Sequence, residues 1–342
     1  MRAERKLAKL LKVMAKPRIG HFWMLFVYPI LGFLVLEFFL LLIWSYFLAP
    51  KLIKPNFGII SPLPYYLKLG QVLATNLWLP DEKKVLKTAL PKPDIKAESY
   101  ITIDLSTNQI LLEKNSRKRL PVASTLKIMT ALVALERGDL NQMITISERA
   151  ASVGEDTMGL SAGEKLTLEE LLYGLLLPSG NDAAEAVAEG LAGRREVFIN
   201  WMNSKVKELG LSDSYFINPS GLEEDNKSEF STAYDLTVIT FHALKYPKFR
   251  EIVKTSDYVI PYSSAHKAFY LWTQTNLLKE NPEVIGVKMG YTPSAGLCGV
   301  TLAQSQSHEI LGVVLNSPNR REDIKNLLNY SLQVVGVPPP ID

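Results

Sequence analysis

From Phe22 to Leu48 the chain is almost wholly apolar, with Glu37 its one charged residue. As a helix this run reaches roughly 40 Å, more than the ~30 Å hydrocarbon layer of a bilayer. It has no polar face, so it does not suit the surface of a globular domain. Trp23 and Tyr28, then Trp44 and Tyr46, stand near its two ends, where interfacial rings belong. The run therefore predicts one transmembrane helix over 22–48, with Pro29 kinking its first turns and Glu37 neutral or paired in mid-span. A cleaved signal peptide is the alternative. It calls for a shorter apolar stretch and a small-x-small exit, whereas the exit here reads Phe47-Leu48-Ala49. The reading taken is a retained anchor.

Charge orients that helix. The chain has a net charge of only +3, but residues 1–20 hold Arg2, Arg5, Lys6, Lys9, Lys12, Lys16 and Arg18 against Glu4. The tail 1–21 is thus strongly basic and the remainder mildly acidic. Basic flanks stay in the cytoplasm, so the expected topology is single-pass in the cell membrane, with everything beyond about residue 50 outside. Basic character confined to a tail does not indicate nucleic-acid binding. Cys298 is alone, so no internal disulfide is available. His21, His242, His266 and His308 are scattered without ligand spacing, and neither metal nor cofactor is expected.

Residues 49–96 read as a proline-rich, juxtamembrane linker, with Pro50, Pro55, Pro62, Pro64, Pro80, Pro91 and Pro93. Two readings stay open for the apolar stretch 63–79: a helix lying on the membrane surface, or an ordinary helix packed before the domain. Residues 97–342 then form one domain. Tyr100–Leu105 and Ile110–Lys114 around Ser106–Gln109 predict a hairpin. Gly296–Leu302 and His308–Leu315 predict two further strands, followed by a helix from about Arg320 to Val335. Between these ends the pattern is helical over 124–136, 167–177, 182–191, 195–209 and 232–244. The expected fold is α+β: a three-layer αβα arrangement whose antiparallel sheet draws on both ends of the domain, with a helical insert between.

Three short patterns fall in order along this domain: Ser124-Thr-Leu-Lys127, Ser179-Gly-Asn181 and Lys288-Met-Gly290. Ser124 opens an apolar helix, and Lys127 lies one turn along on the same face. A helix start offers N–H groups to a developing oxyanion, and a buried Lys beside a Ser can lose its proton and act as base. The plainer reading is a capping Ser and a solvated Lys. Ser204–Lys207 and Ser264–Lys267 match the first pattern too, and Ser106–Asn108 and Ser317–Asn319 the second. They lie on a polar helix face or in loops and turns, whereas Ser179–Asn181 sits between two helices, with Asp182 read as the next N-cap. Lys288–Gly290 follows the strand signal Val284–Val287, and Gly290 permits close backbone approach.

The order of these motifs, with Leu120–Leu132, Tyr173–Ala183, Asn218–Leu222, Ser231–Leu236, Thr275-Asn276 and Gly286–Thr292, resembles the low-molecular-mass penicillin-binding proteins, the serine-type D-alanyl-D-alanine carboxypeptidases of the DD-peptidase/β-lactamase-like superfamily. The likeness runs from about Ala97 to Tyr330. It implies a membrane-anchored hydrolase that removes the terminal D-Ala from peptidoglycan stem peptides through a penicillin-sensitive acyl-enzyme. Ser124 would be the nucleophile, Lys127 its base, Ser179 a proton relay and Asn181 a holder of Lys127 or of the substrate amide. The N–H groups of Ser124 and Tyr291 would form the oxyanion hole. Lys288 and Arg320, the latter favoured over Arg321, would attract the substrate carboxylate beside Gly290. Met289 departs from the pattern, standing where relatives carry Thr or Ser. Thr292 is the residue expected to compensate. A transpeptidase or β-lactamase on the same fold is a competing reading, though no Glu-bearing deacylation loop is evident. Another is a degenerate module that binds peptidoglycan or β-lactams with little turnover.

Overall fold

A computed structural model describes residues 28–43, 78–81, 85–225, 228–281 and 283–337. It divides into two compact units, Met1–Leu73 and Ala74–Asp342. In the first, helix α1 spans Tyr28–Ile43, and Phe33, Leu34, Phe38, Phe39 and Leu40 on it are exposed. Its 16 residues rise only ~24 Å. Among the described residues no helix is long and apolar enough to cross a membrane. The basic tail, the two ends of the expected span and residues 49–77 lie outside the described residues.

The second unit is built on a five-stranded antiparallel sheet in the order β2-β1-β9-β8-β7. Its strands are β1 Ser99–Asp104, β2 Gln109–Lys114, β7 Val284–Thr292, β8 Gly296–Ser305 and β9 His308–Ser317. The expected pairing of the domain's two ends is present: Tyr100 faces Val314 and Thr102 faces Gly312 across β1 and β9. Two small two-stranded antiparallel sheets, β3 Met143–Thr145 with β4 Lys165–Thr167, and β5 Asp257–Ile260 with β6 Phe269–Trp272, lie in the insert. The helices are α2 Lys127–Arg137, α3 Glu148–Ser152, α4 Leu168–Leu176, α5 Asn181–Ala192, α6 Arg195–Glu208, α7 Ala233–Leu244, α8 Pro247–Lys254, α9 Asn276–Glu280 and α10 Arg320–Val334.

Both faces of the central strands are buried, so these strands read as nearly continuous apolar runs. Ile101, Ile103, Val300, Leu302, Leu311 and Val313 join the main core with the inserted helices. Tyr100, Leu112, Ile310 and Val314 face the other way, onto Ile324, Leu327 and Leu328 of α10. Helices thus cover the sheet on both sides. Local signals set the helix starts. Thr167 and Glu170 form a reciprocal capping box at α4, Thr232 caps α7, and Asn319 caps α10.

Two helix starts differ from expectation. The segment 124–136 is not one helix: a 3-10 turn over Ala123–Leu126 precedes α2, so Ser124 lies inside the tighter turn. Asp182 is not a cap. Gly180 holds that position, α5 begins at Asn181, and the Asp182 carboxylate accepts from the N–H groups of Met158, Gly159 and Leu160, each at 2.9 Å. The end of the segment read as linker also closes onto the domain. Trp78 stacks on Phe241 at 3.7 Å, Tyr234 donates to the Pro80 carbonyl, and Leu86 N–H donates to the Ile110 carbonyl.

Candidate active site

The turn carrying Ser124 is held in an uncommon backbone shape. Ala123 has φ +49°, a left-handed conformation that a non-glycine residue keeps only where its surroundings enforce it. Two glycines supply the enforcement by letting backbone approach. A Cβ on Gly221 would stand 2.3 Å from the Ala123 carbonyl oxygen, and one on Gly290 would stand 2.9 Å from the Ser124 amide nitrogen. The Ser124 turn is therefore gripped between the loop after Asn218 and strand β7. That loop is an Asx-type turn: Asn218 Oδ1 accepts from the N–H groups of Ser220 and Gly221.

Lys127, the first residue of α2, is fully buried. Its Nζ lies 2.9 Å from Ser124 Oγ, 2.7 Å from Asn181 Oδ1, 2.7 Å from the Ser220 carbonyl oxygen and 3.4 Å from Ser179 Oγ. Asn181 is fixed in that orientation because its Nδ2 donates to the Gly154 carbonyl. Burial pulls the Lys127 amine down to about 7, against the opposing pull of Asp156, Glu229, Asp182 and Glu155. A neutral amine has two N–H donors and one lone pair. Its two closest oxygens, Asn181 Oδ1 and Ser220 O, can only accept, so they take the two donors. The lone pair is left for the Ser124 hydroxyl proton. This geometry suits a proton transfer from the Ser124 hydroxyl to the Lys127 amine.

Ser179 is buried with φ +67°, in a tight turn held by Gln274. The Gln274 N–H donates to the Leu177 carbonyl and its Nε2 donates to the Pro178 carbonyl. Lys288 is also buried, and its Nζ donates to the Met289 carbonyl at 2.9 Å. Burial and then the nearby Lys127 charge hold the Lys288 amine well below its ordinary value.

Strand β7 ends the sheet, so one of its edges is unpaired within the sheet. Gly290 lies against the N–H groups of Ser124 and Thr125, and Tyr291, the next residue, is exposed. Arg320 Nη1 donates to the carbonyls of Gly290 and Cys298. Arg321 instead forms a two-pronged ion pair with Glu280 at the surface. A cavity of about 270 Å³ is lined by Glu155, Asp156, Gln274, Met289, Gly290, Tyr291 and Arg320. Met289 is buried, with its sulfur against Gly299. Thr292 does not join this cavity. Alternation along β7 sets it apart from Met289, and its hydroxyl accepts from the Ala295 N–H in the turn to β8. The expectation that Thr292 compensates for Met289 is corrected on that ground.

Ser124, Lys127, Ser179, Asn181, Lys288 and Gly290 thus converge, with Tyr291 and Arg320 at the rim. Ser204 and Lys207 are exposed on α6, and Lys267 Nζ, in the loop between β5 and β6, donates to Ser161 Oγ. Sequence reasoning missed the Ser220 carbonyl and the pinning role of Asp182. The Asn218-Pro-Ser-Gly turn was the available signal for the first.

A buried lysine is thus set on a serine at a helix start, beside a strand with an open edge. The chain belongs to the D-alanyl-D-alanine carboxypeptidase family, whose model matches residues 86–319. It is 37% identical over 233 residues to the D-alanyl-D-alanine carboxypeptidase DacF of Bacillus subtilis, covering 66% of this chain and 59% of that protein's length. It is 36% identical over 207 residues to DacB2 of Mycobacterium tuberculosis, covering 60% of this chain and 70% of DacB2. Among solved structures, the Streptomyces K15 DD-transpeptidase superposes with a TM-score of 0.67 at 31% identity, over 71% of this chain and all of that one.

Proposed function

We propose that this chain is a membrane-anchored serine D-Ala-D-Ala carboxypeptidase that trims peptidoglycan stem peptides and is acylated by β-lactams. The observation that carries the reading is the Lys127 amine, with both donors engaged and its lone pair toward Ser124. Ser124 Oγ attacks the carbonyl between the two D-alanines as Lys127 takes its proton. The oxyanion is met by the N–H groups of Ser124 and Tyr291. Ser179 passes a proton to the leaving D-Ala amine, and Asn181 steadies Lys127. Lys288 and Arg320 attract the terminal carboxylate. Water then attacks the acyl-enzyme, Lys127 again accepting the proton.

The basic tail and the apolar run 22–48 support an N-terminal anchor with the catalytic unit outside the membrane. The exposed apolar side chains of α1 are of the kind lipid accepts. A transpeptidase reading differs only in the acceptor, an amine in place of water, and the likeness to the Streptomyces K15 DD-transpeptidase keeps it in the test. The full-length protein in detergent is expected to release free D-Ala from a D-Ala-D-Ala peptide. An added amino acid acceptor that captures most of the acyl group would make the chain a transpeptidase. Neither product, with a folded protein, would refute both.

A further inference from the structure

The ribbon of β5 and β6 alternates like a half-buried sheet, yet its outer face is not polar. Inward, Ile260, Phe269 and Leu271 join the main core, and Tyr258 stacks on Tyr173 of α4 at 3.6 Å. Outward stand Val259, Tyr270 and Trp272, which are 54%, 69% and 59% exposed. The register sets Val259 opposite Tyr270 and Asp257 opposite Trp272. Tyr270 and Trp272 are two residues apart on one face, so their rings are rooted ~7 Å apart. An antiparallel ribbon with one face on the core ordinarily turns polar residues to water. Two adjoining rings with a valine beside them are a patch, not scattered single residues, and an exposed apolar patch marks an interaction site.

Continuity and charge indicate what covers this ledge. Beyond Trp272, the chain passes through buried Thr273, whose N–H donates to the Ser256 carbonyl. It then reaches Gln274, which holds the Ser179 turn and lines the cavity shared by Met289, Tyr291 and Arg320. The ledge thus starts two residues from the wall of the candidate active site, and whatever lies on it is close to the substrate. The only charged residue of β5 and β6 is Asp257, and Lys279 Nζ pairs with it at 3.1 Å. Such a face offers nothing to an anionic lipid surface or a polyphosphate, which call for clustered bases. Tyr and Trp present a flat ring with a negative face and a polar edge. That suits an uncharged pyranose, whose C–H bonds turn to the ring face while its hydroxyl and amide groups stay in water.

We propose that Tyr270 and Trp272 form a stacking platform for a chain of β-1,4-linked N-acetylhexosamines, through which the protein holds the glycan of the wall outside its catalytic cavity. The choice of a wall glycan rests on the peptidoglycan reading above. The packed inner face of the ribbon keeps the platform rigid, so little order is lost when sugars settle on it.

The test titrates the full-length protein in detergent, by calorimetry, with a hexamer of β-1,4-linked N-acetylglucosamine, which carries neither peptide nor charge. Saturable binding is expected. Tyr270→Ala and Trp272→Ala should each weaken it by about 10-fold, the scale of one lost ring contact. Trp272→Phe should keep most of it, and added salt should change it little. D-Ala release from a short glycan-free peptide is expected to be the same in all three variants as in the unaltered chain, and denaturant unfolding verifies that each is folded. Hydrolysis without hexamer binding, or binding that survives both alanine variants, overturns the platform and leaves the carboxypeptidase reading standing. Binding that both alanine variants weaken, without hydrolysis by any of the proteins, supports the platform and removes the hydrolase reading. In vesicles of brominated phosphatidylcholine, tryptophan quenching that falls in Trp272→Phe would give the ledge to lipid. A sedimenting dimer that dissociates in Tyr270→Ala would give it to a second copy of the chain. Either result overturns the glycan assignment.

Discussion

Gly290 on β7 is packed so closely against Ser124 that a Cβ there would stand 2.9 Å from the Ser124 amide nitrogen. The absent side chain is what lets β7 and the Ser124 N–H come this close. Gly290→Ala is expected to push the two apart and cost about 100-fold in the rate of acylation by a fluorescent penicillin, the scale of losing one oxyanion donor. An unchanged acylation rate would show that β7 does not help to shape that volume.

The acylation rate is expected to carry the titration of Lys127. In the proposed mechanism the base is the neutral amine, and burial pulls the Lys127 amine down to about 7. The second-order rate should therefore be flat above about pH 7 and fall about tenfold per unit below it. Asn181→Asp puts a carboxylate where Oδ1 now sits, 2.7 Å from Nζ, and favours the charged amine. The acidic limb should move up by about 1–3 units, so that the variant is slower at pH 7 and recovers at higher pH. Rates across pH for both proteins check this.

Much of the architecture was legible because it rests on patterns that local physics enforces. The capping box at Thr167 and Glu170, the β1–β2 hairpin and the apolar strands β8 and β9 are of that kind. The order of the three motifs was enough to group Ser124, Lys127, Ser179 and Asn181. What stayed hidden depends on backbone or on distant packing. The Ser220 carbonyl that holds Lys127 is a backbone group, signalled only by the turn-forming run Asn218-Pro-Ser-Gly around it. The three-residue strands β3 and β4 are too short to show alternation. Asp182 looks like a cap in sequence and becomes a clamp only because the loop 158–160 folds back onto α5. Thr292, three places beyond Met289, is set apart from it by the pleat and by the turn.

Asp182→Ala is expected to destabilise the domain by about 3 kcal/mol, since it leaves the N–H groups of Met158, Gly159 and Leu160 without their shared carboxylate. Denaturant unfolding measures the loss. A change under about 1 kcal/mol would mean that these groups find other partners cheaply.

Met289 places a thioether beside Arg320 and Gln274. Met289→Thr is expected to raise kcat/KM about 10-fold to 100-fold for peptides ending in a free carboxylate, and less for their C-terminal amides. An equal gain for both, or a loss, would mark Met289 as fitted to a different end group.

The proposed topology has its own check. A protease added to intact cells with a permeable outer wall is expected to digest the chain beyond about residue 50 and to spare the basic tail. Protection of the catalytic unit would place it on the cytoplasmic side.

The central claim, that Ser124 becomes acylated with Lys127 as its base, is tested most directly by mass spectrometry of the full-length protein after brief exposure to penicillin. A single adduct is expected on the peptide containing Ser124. It should be lost in Ser124→Ala and in Lys127→Met and retained in Ser204→Ala and Ser264→Ala. An adduct that survives Ser124→Ala, or that maps to another serine, would contradict the account.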